Sequence, residues 1–165
     1  MSKSVPVLHI VGSKNSGKTR LMEWLVKNLS RRGVRVGALK HSMHTHPVDK
    51  PAADSDRFRK AGAYPAAFWS QEGLGIYFPP LNTQEGWQIL QTVFADRDLI
   101  LVESFASSNH PKIALVGESD DWHNFSHVVA LVASRTVTAE CPVFKMRDPK
   151  LLDFILSHFI SAPRK

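Results

Sequence analysis

The stretch Gly12-Ser-Lys-Asn-Ser-Gly-Lys-Thr19 constrains this chain more than any other. It fits G-x-x-x-x-G-K-[ST], a loop built to hold phosphate. Such a loop needs glycines where the backbone turns tightly and approaches a ligand. Its N–H groups then face phosphate oxygens, and the helix that follows adds the positive end of its dipole. In this pattern Lys18 reaches the β/γ-phosphates and the Thr19 hydroxyl meets Mg²⁺. The flanks agree. Val5 to Val11 is a short apolar run, β-branched in part. After the loop, Leu21, Leu25 and Leu29, with Met22 and Val26 beside them, recur at helical spacing until Arg31, Arg32 and Gly33. A strand, the loop, then a helix is the order the motif requires.

The rest of the chain continues this alternation. Val34–His41 reads as a second strand, and a polar stretch with Pro47 and Pro51 follows it. That stretch is too long for a tight turn, and long loops in compact domains are often functional. The stretch from Asp54 reads as a short helix ending at Gly62, and Pro65–Pro80 as an antiparallel hairpin. Thr83–Asp96 reads as a helix with Trp87, Leu90 and Phe94 on one face. Strands are expected at Arg97–Ser104, Pro111–Gly117 and His127–Ser134, and a last helix begins at Asp148-Pro149. The tail Ala162–Lys165 is expected to fray. The pattern predicts an α/β fold: three layers, a mostly parallel sheet with helices on both faces, and a hairpin insertion, as one nucleotide-binding domain over 1–165.

Composition bounds the partners. The chain has 165 residues, 43% of them hydrophobic, and a net charge of +6. A basic balance suits a polyanion. The charges are scattered, with no nucleic-acid-binding pattern beside them, so nucleotide is expected and nucleic acid is not. The single Cys141 excludes a disulfide framework and reads as a small buried hydrophobe. Trp69, Tyr77, Phe78 and Trp87 read mostly as core, with a subunit interface as the alternative for some of them. No apolar run approaches the ~20 residues of a membrane span and no leader is recognisable, so a cytoplasmic location is expected.

Glu103 ends a run of four apolar residues. At that place in a P-loop fold an acid holds magnesium or orients a water, so Lys18 and Glu103 are the candidate catalytic pair. Asp49 and Asp54 compete for the role of second carboxylate on the metal, beside Thr19 and Glu103. His41, His44 and His46 share the long loop; they fit phosphate contacts, a transition-metal site or a solvated segment. Arg57 and Arg59 fit phosphate contact as an arginine finger, or a basic helix face.

Three blocks carry a family resemblance: GSKNSGKTRL, GALKHSMHTHPVDKPAADSDRFRKAGA and DLILVESFASSNHPKIALV. In order and spacing they resemble the molybdopterin-guanine dinucleotide biosynthesis protein B (MobB) family. The resemblance implies a small GTP-binding P-loop protein using Mg²⁺, a homodimer that hydrolyses GTP slowly. It would assist a molybdopterin nucleotidyltransferase, with molybdopterin itself as a further candidate ligand. It places Gly12, Asn15, Ser16, Gly17, Lys18 and Thr19 at phosphate and magnesium. It also matches Lys40, His41, Asp49, Asp54, Ser55, Arg57, Glu103 and Lys112 to family motif positions. Two departures stand out. Ser104 replaces a glycine after the strand-ending acid, a costly change if that glycine supplies left-handed backbone. Ala52-Ala53 replaces Gly-Lys, removing a loop cation that Lys14 is placed to offset. No N-K-x-D guanine motif is present, so guanine specificity rests on the resemblance. A nucleotide-driven nickel metallochaperone is the competing reading, supported by His44 and His46.

Overall fold

The structure is a computed structural model that describes residues 4–42, 44–118 and 121–160; the tail Ala162–Lys165 lies outside them. The elements are β1 (Val7–Gly12), α1 (Lys18–Arg31), β2 (Val36–Lys40), α2 (Asp54–Lys60), β3 (Ala66–Ser70), β4 (Gly73–Tyr77), α3 (Thr83–Val93), β5 (Leu99–Glu103), β6 (Lys112–Val116), a short 3-10 turn (Asp121–Asn124), β7 (Val128–Ala133), β8 (Val143–Phe144) and α4 (Pro149–Phe159). The chain forms two compact units. One combines the residues up to Ser42 with those from Val93 onward, and the other is Met43–Thr92.

In the first unit six strands form a parallel sheet in the order β2-β5-β1-β6-β7-β8. This is the mostly parallel α/β architecture that the strand–loop–helix pattern predicts. The four inner strands, β5, β1, β6 and β7, read as near-continuous apolar runs because both their faces are covered. On one face Leu8, Ile10, Leu99, Leu101, Ile113, Leu115, Ala130 and Val132 meet Leu21, Leu25 and Leu29 of α1 and Leu151, Leu152 and Ile155 of α4. The stripe at i, i+4, i+8 is what lets α1 bury one side. The helix stops where Gly33, at φ 82°, takes the left-handed conformation that glycine adopts at no steric cost. At the start of α4 the Asp148 carboxylate accepts the Lys150 N–H at 3.0 Å, with Pro149 in the first turn. On the opposite face Val11, Ala114, Val116, Leu131 and Ala133 form a second cluster, with Trp122 and Phe125 packed on it. Cys141 also packs there but is only half-buried, which corrects its expected place in the core. Burial still pushes its thiol up, away from the reactive thiolate.

The register is staggered. Val7–Ile10 of β1 pair with β5, whereas His9–Gly12 pair with β6. β6 therefore begins about where β5 ends, and residues 104–111 suffice to cross over β1. A parallel crossover ordinarily takes a dozen residues or more.

In the second unit the hairpin pairs Trp69 with Leu74 and Ala67 with Ile76. Trp69 is 84% exposed, and Leu74 and Ile76 are exposed with it. Tyr77, Phe78 and Trp87 are half-buried. None of the four aromatics lies in the buried core, which corrects the reading of them as mostly core and leaves the interface alternative open. Helix α3 likewise buries no residue. The unit is organised instead around Asp56. Its buried carboxylate accepts the Ala52 N–H at 3.0 Å, Arg59 at 2.6 Å and Lys60 at 2.7 Å. The Lys60 and Ala52 bonds hold it down at about 2.

The crossover encloses His9, which is fully buried in β1. Burial pushes its imidazole down to about 4, against an opposing hydrogen bond to the Ser104 carbonyl and with smaller repulsion from His110 and Lys112. The folded value lies below the ordinary 6.5, so the unfolded chain takes up the proton first as pH falls. Stability is therefore unaffected by His9 above pH 6.5 and is lost progressively as pH drops toward 4, by on the order of 3 kcal/mol. Urea midpoints measured from pH 7.5 to 4.5 on the wild type and on His9→Asn should diverge in that window. Parallel curves would contradict the account.

Candidate functional site

The loop after β1 has the shape its glycines allow. Gly12 sits at φ 146°, and a Cβ there would lie 2.9 Å from the Leu115 carbonyl oxygen and 3.0 Å from Ser16 Oγ. Asn15 and Gly17 are left-handed, at φ 63° and 96°. The loop is thus wound around its own interior and delivers the chain into α1 at Lys18. The Lys18 ammonium folds back over it, donating to the carbonyls of Gly12 at 3.0 Å and Ser13 at 2.6 Å. Burial lowers the Lys18 pKa and the nearby Glu103 opposes that shift. Ser16 Oγ is buried and, among the described residues, has no hydrogen-bond partner. A buried polar atom without a partner is costly, and here it lies in a loop at the N-terminus of a 14-residue helix, the natural place for an anion.

Glu103 ends β5, the neighbour of β1 in the sheet. Its buried carboxylate accepts the Thr19 hydroxyl on Oε2 at 3.0 Å and the Lys40 ammonium on Oε1 at 2.8 Å. Burial pushes its pKa up, but the Lys40 and Thr19 bonds and the Lys18 charge outweigh that and leave it lowered. The structure therefore brings together Lys18, Thr19, Lys40 and Glu103 from three neighbouring segments. The donors Thr19 and Glu103 are hard oxygens, the set a magnesium ion prefers. His41 continues from β2, its N–H bonded to the Glu103 carbonyl at 3.1 Å. Its ring stacks on Phe105 with centroids 3.9 Å apart and 9° between planes. Burial lowers its pKa. Lys14 stands in the loop and is exposed.

Immediately after Glu103, Ser104 and Phe105 both adopt left-handed backbone, at φ 74° and 66°. Such angles are uncommon for residues with a Cβ and an outlier for a bulky one. Ala52 is also left-handed, at φ 65°. Both positions where glycine was expected from the resemblance thus hold conformations that suit glycine.

Asp49, Asp54 and Arg57 belong to the second unit. Asp49 accepts the Lys50 N–H at 2.7 Å. Arg57 and Asp54 pair with each other at 3.5 Å, both exposed, a contact of little energetic worth. The rings of His44 and His46 lie edge to face, 6.2 Å between centroids. Among the described residues no group of three or more His, Cys, Asp or Glu is placed to hold a metal. Sequence reasoning missed His9, Asp56 and Ser108, all buried and polar. Each is embedded in a pattern that reads as strand, helix or loop. The one available signal was His9 itself, a polar residue inside an apolar strand.

Comparison with known proteins finds relatives along most of the chain. The model of the family described as molybdopterin guanine dinucleotide synthesis protein B matches residues 7–134. A Bacillus subtilis protein named probable molybdopterin-guanine dinucleotide biosynthesis adapter protein is 30% identical, over 92% of this chain and 92% of its own. A Haemophilus influenzae molybdopterin-guanine dinucleotide biosynthesis adapter protein is 31% identical, over 98% of this chain and 96% of its own. The crystal structure of Bacillus subtilis MobB superposes with a TM-score of 0.78 at 25% identity, covering 96% of this chain and 99% of that one. HypB from Helicobacter pylori in complex with nickel shares the fold alone, with a TM-score of 0.52 at 16% identity over 98% of this chain and 92% of that one.

The strain at Ser104 can be measured. Left-handed backbone costs a residue with a Cβ roughly 1 kcal/mol, which glycine does not incur. Ser104→Gly should raise the thermal midpoint by roughly 2–4 °C, the equivalent of about 1 kcal/mol in a chain of this size. A lowered midpoint would show that the turn carries no strain.

Proposed function

The chain belongs to the molybdopterin guanine dinucleotide synthesis protein B (MobB) family, and from that premise we propose that it is a GTP-binding accessory protein in molybdopterin-guanine dinucleotide formation. The observation that carries the reading is the meeting of Lys18, Thr19 and Glu103 at the end of β1 and β5. In this reading the N–H groups of residues 12–19 hold the β-phosphate, and Lys18 leaves the Gly12 and Ser13 carbonyls to neutralise the β/γ-oxygens. Thr19 and Glu103 would hold Mg²⁺, directly or through water, and the bound ion would supply charge neutralisation at the phosphates. Lys40 balances the Glu103 carboxylate until the ion arrives. Guanine selectivity rests on the family.

Turnover is slow in this account. Phosphoryl transfer needs a positioned water and charge stabilisation, and among the described residues Glu103 is the acid that a hydrogen bond ties to the start of α1. The protein therefore acts by binding: the nucleotide state is offered to a molybdopterin nucleotidyltransferase in the cytoplasm, and the chain works as one nucleotide-binding domain. Its partner in a homodimer meets the hairpin. A two-stranded sheet alone is marginal in water, and this one exposes Phe68, Trp69, Leu74 and Ile76, the aromatic and aliphatic surface that subunit interfaces cover.

Two measurements test the reading. By calorimetry, Lys18→Ala should weaken Mg-GTP binding by about 2–3 kcal/mol, the worth of a charged hydrogen-bonding partner, while the unfolding midpoint changes little; unchanged affinity refutes phosphate binding at this loop. In sedimentation, the wild type should run as a dimer and Trp69→Ser should shift it toward monomer. A wild-type monomer at micromolar concentration would refute the assembly.

A further inference from the structure

The crossover between β5 and β6, residues 104–111, is fastened to β1 at both ends. The Ser104 N–H donates to the Ile10 carbonyl at 2.9 Å, and the His9 N–H donates to the Pro111 carbonyl at 2.9 Å. Between these points the buried His9 ring reaches into the crossover. Its Nδ1 lies 3.0 Å from the Ser104 carbonyl oxygen, and its Nε2 lies 3.2 Å from Ser108 Oγ. A carbonyl only accepts, so Nδ1 carries the proton and Nε2 accepts from the Ser108 hydroxyl. Ser108 Oγ accepts the His110 N–H at 3.1 Å and lies 2.9 Å from His110 Nδ1. The fully buried Lys112 closes the far end, donating to the carbonyls of Ser108, His110 and Ser126.

We propose that His9 is a positioning residue for Glu103: by gripping the Ser104 carbonyl it fixes the left-handed turn that directly follows the acid and so holds the carboxylate toward Thr19. The inference rests on the reading above, in which Thr19 and Glu103 receive the Mg²⁺ of a bound nucleotide. Packing alone does not ask for histidine here. Its neighbours in β1 are Leu8 and Ile10, both fully buried and apolar. Burying an imidazole there is unfavourable unless its nitrogens are bonded, and both are. The two nitrogens divide the labour. Nδ1 acts on the peptide next to Glu103, and Nε2 acts on the middle of the crossover, four residues further on. Ser104 would otherwise relax from φ 74°, turning the peptide that ends the strand and the carboxylate with it.

The division of labour supplies the test. Asparagine at position 9 sets an amide N–H where Nδ1–H stood, whereas glutamine reaches the Nε2 position. Affinities of the full chain for a non-hydrolysable GTP analogue are measured by calorimetry with Mg²⁺ and with EDTA, and their ratio is the magnesium gain. His9→Gln should reduce that gain about tenfold, equivalent to one misplaced charged ligand. His9→Asn should hold it within about twofold, and Ser108→Ala, which cuts only the Nε2 side, should do the same. The affinity in EDTA should be the same for all. Equal gains in His9→Asn and His9→Gln overturn the assignment, as does an equal weakening of both affinities in His9→Gln, which would make the residue merely structural. Should His9→Gln fail to fold, loss of the gain in His9→Asn or Ser108→Ala overturns it and retention in both supports it. A wild type that binds no analogue in either buffer refutes the functional reading, and this assignment with it. A wild type with a clear magnesium gain, shared equally by both amides, refutes this assignment alone.

Discussion

The carboxylate of Glu103 is the joint on which the site depends. One oxygen takes the Thr19 hydroxyl from α1 and the other takes the Lys40 ammonium from β2. A buried acid is tolerated only when such partners replace its water. Three segments distant in sequence are therefore held by one charge. Their spacing is not set by that charge, however. β2, β5 and β1 are consecutive in the sheet, so ladder spacing of about 4.8 Å fixes how far apart their ends can be. The apolar packing of Leu21 and Leu25 on Leu8, Ile10 and Leu101 then presses α1 onto that edge. The core brings the ends together, and the carboxylate decides which side chains face each other there.

What was legible in the sequence was local. The phosphate loop announces itself through glycine and lysine spacing, and α1 through leucines one turn apart. The start of α4 is written in Asp148-Pro149, and Glu103 in its position after four apolar residues. What escaped depends on pairing between distant segments. Nothing in β1 reveals that β5 and β6 flank it, or that they do so out of step. β8 is two residues long, too short for any periodicity. Trp69 reads as core because aromatic residues in strands usually pack; within the second unit the hairpin pairs only with itself, and the ring is left exposed. His9 was hidden by its neighbours, since one polar residue in six leaves the strand pattern intact.

Ser104 and Ala52 show where sequence and backbone conflict. Each carries a Cβ at positive φ, and each is held by a buried ionisable side chain bonded to its own peptide group. The Asp56 carboxylate accepts the Ala52 N–H, and the His9 ring donates to the Ser104 carbonyl. The two grips have opposite polarity because the groups they hold do: an N–H needs an acceptor and a C=O needs a donor. A grip of this kind lasts only while the side chain keeps its protonation state. Lys60 and the Ala52 amide hold Asp56 ionised down to about 2. Burial keeps His9 neutral down to about 4. Both shifts move the titration away from neutral pH, so neither grip loosens between pH 5 and 8. Glycine would relieve the strain at either place but would leave the turn free to move. A strained residue held by a buried partner has one conformation, and beside Glu103 that single conformation sets the direction of the carboxylate.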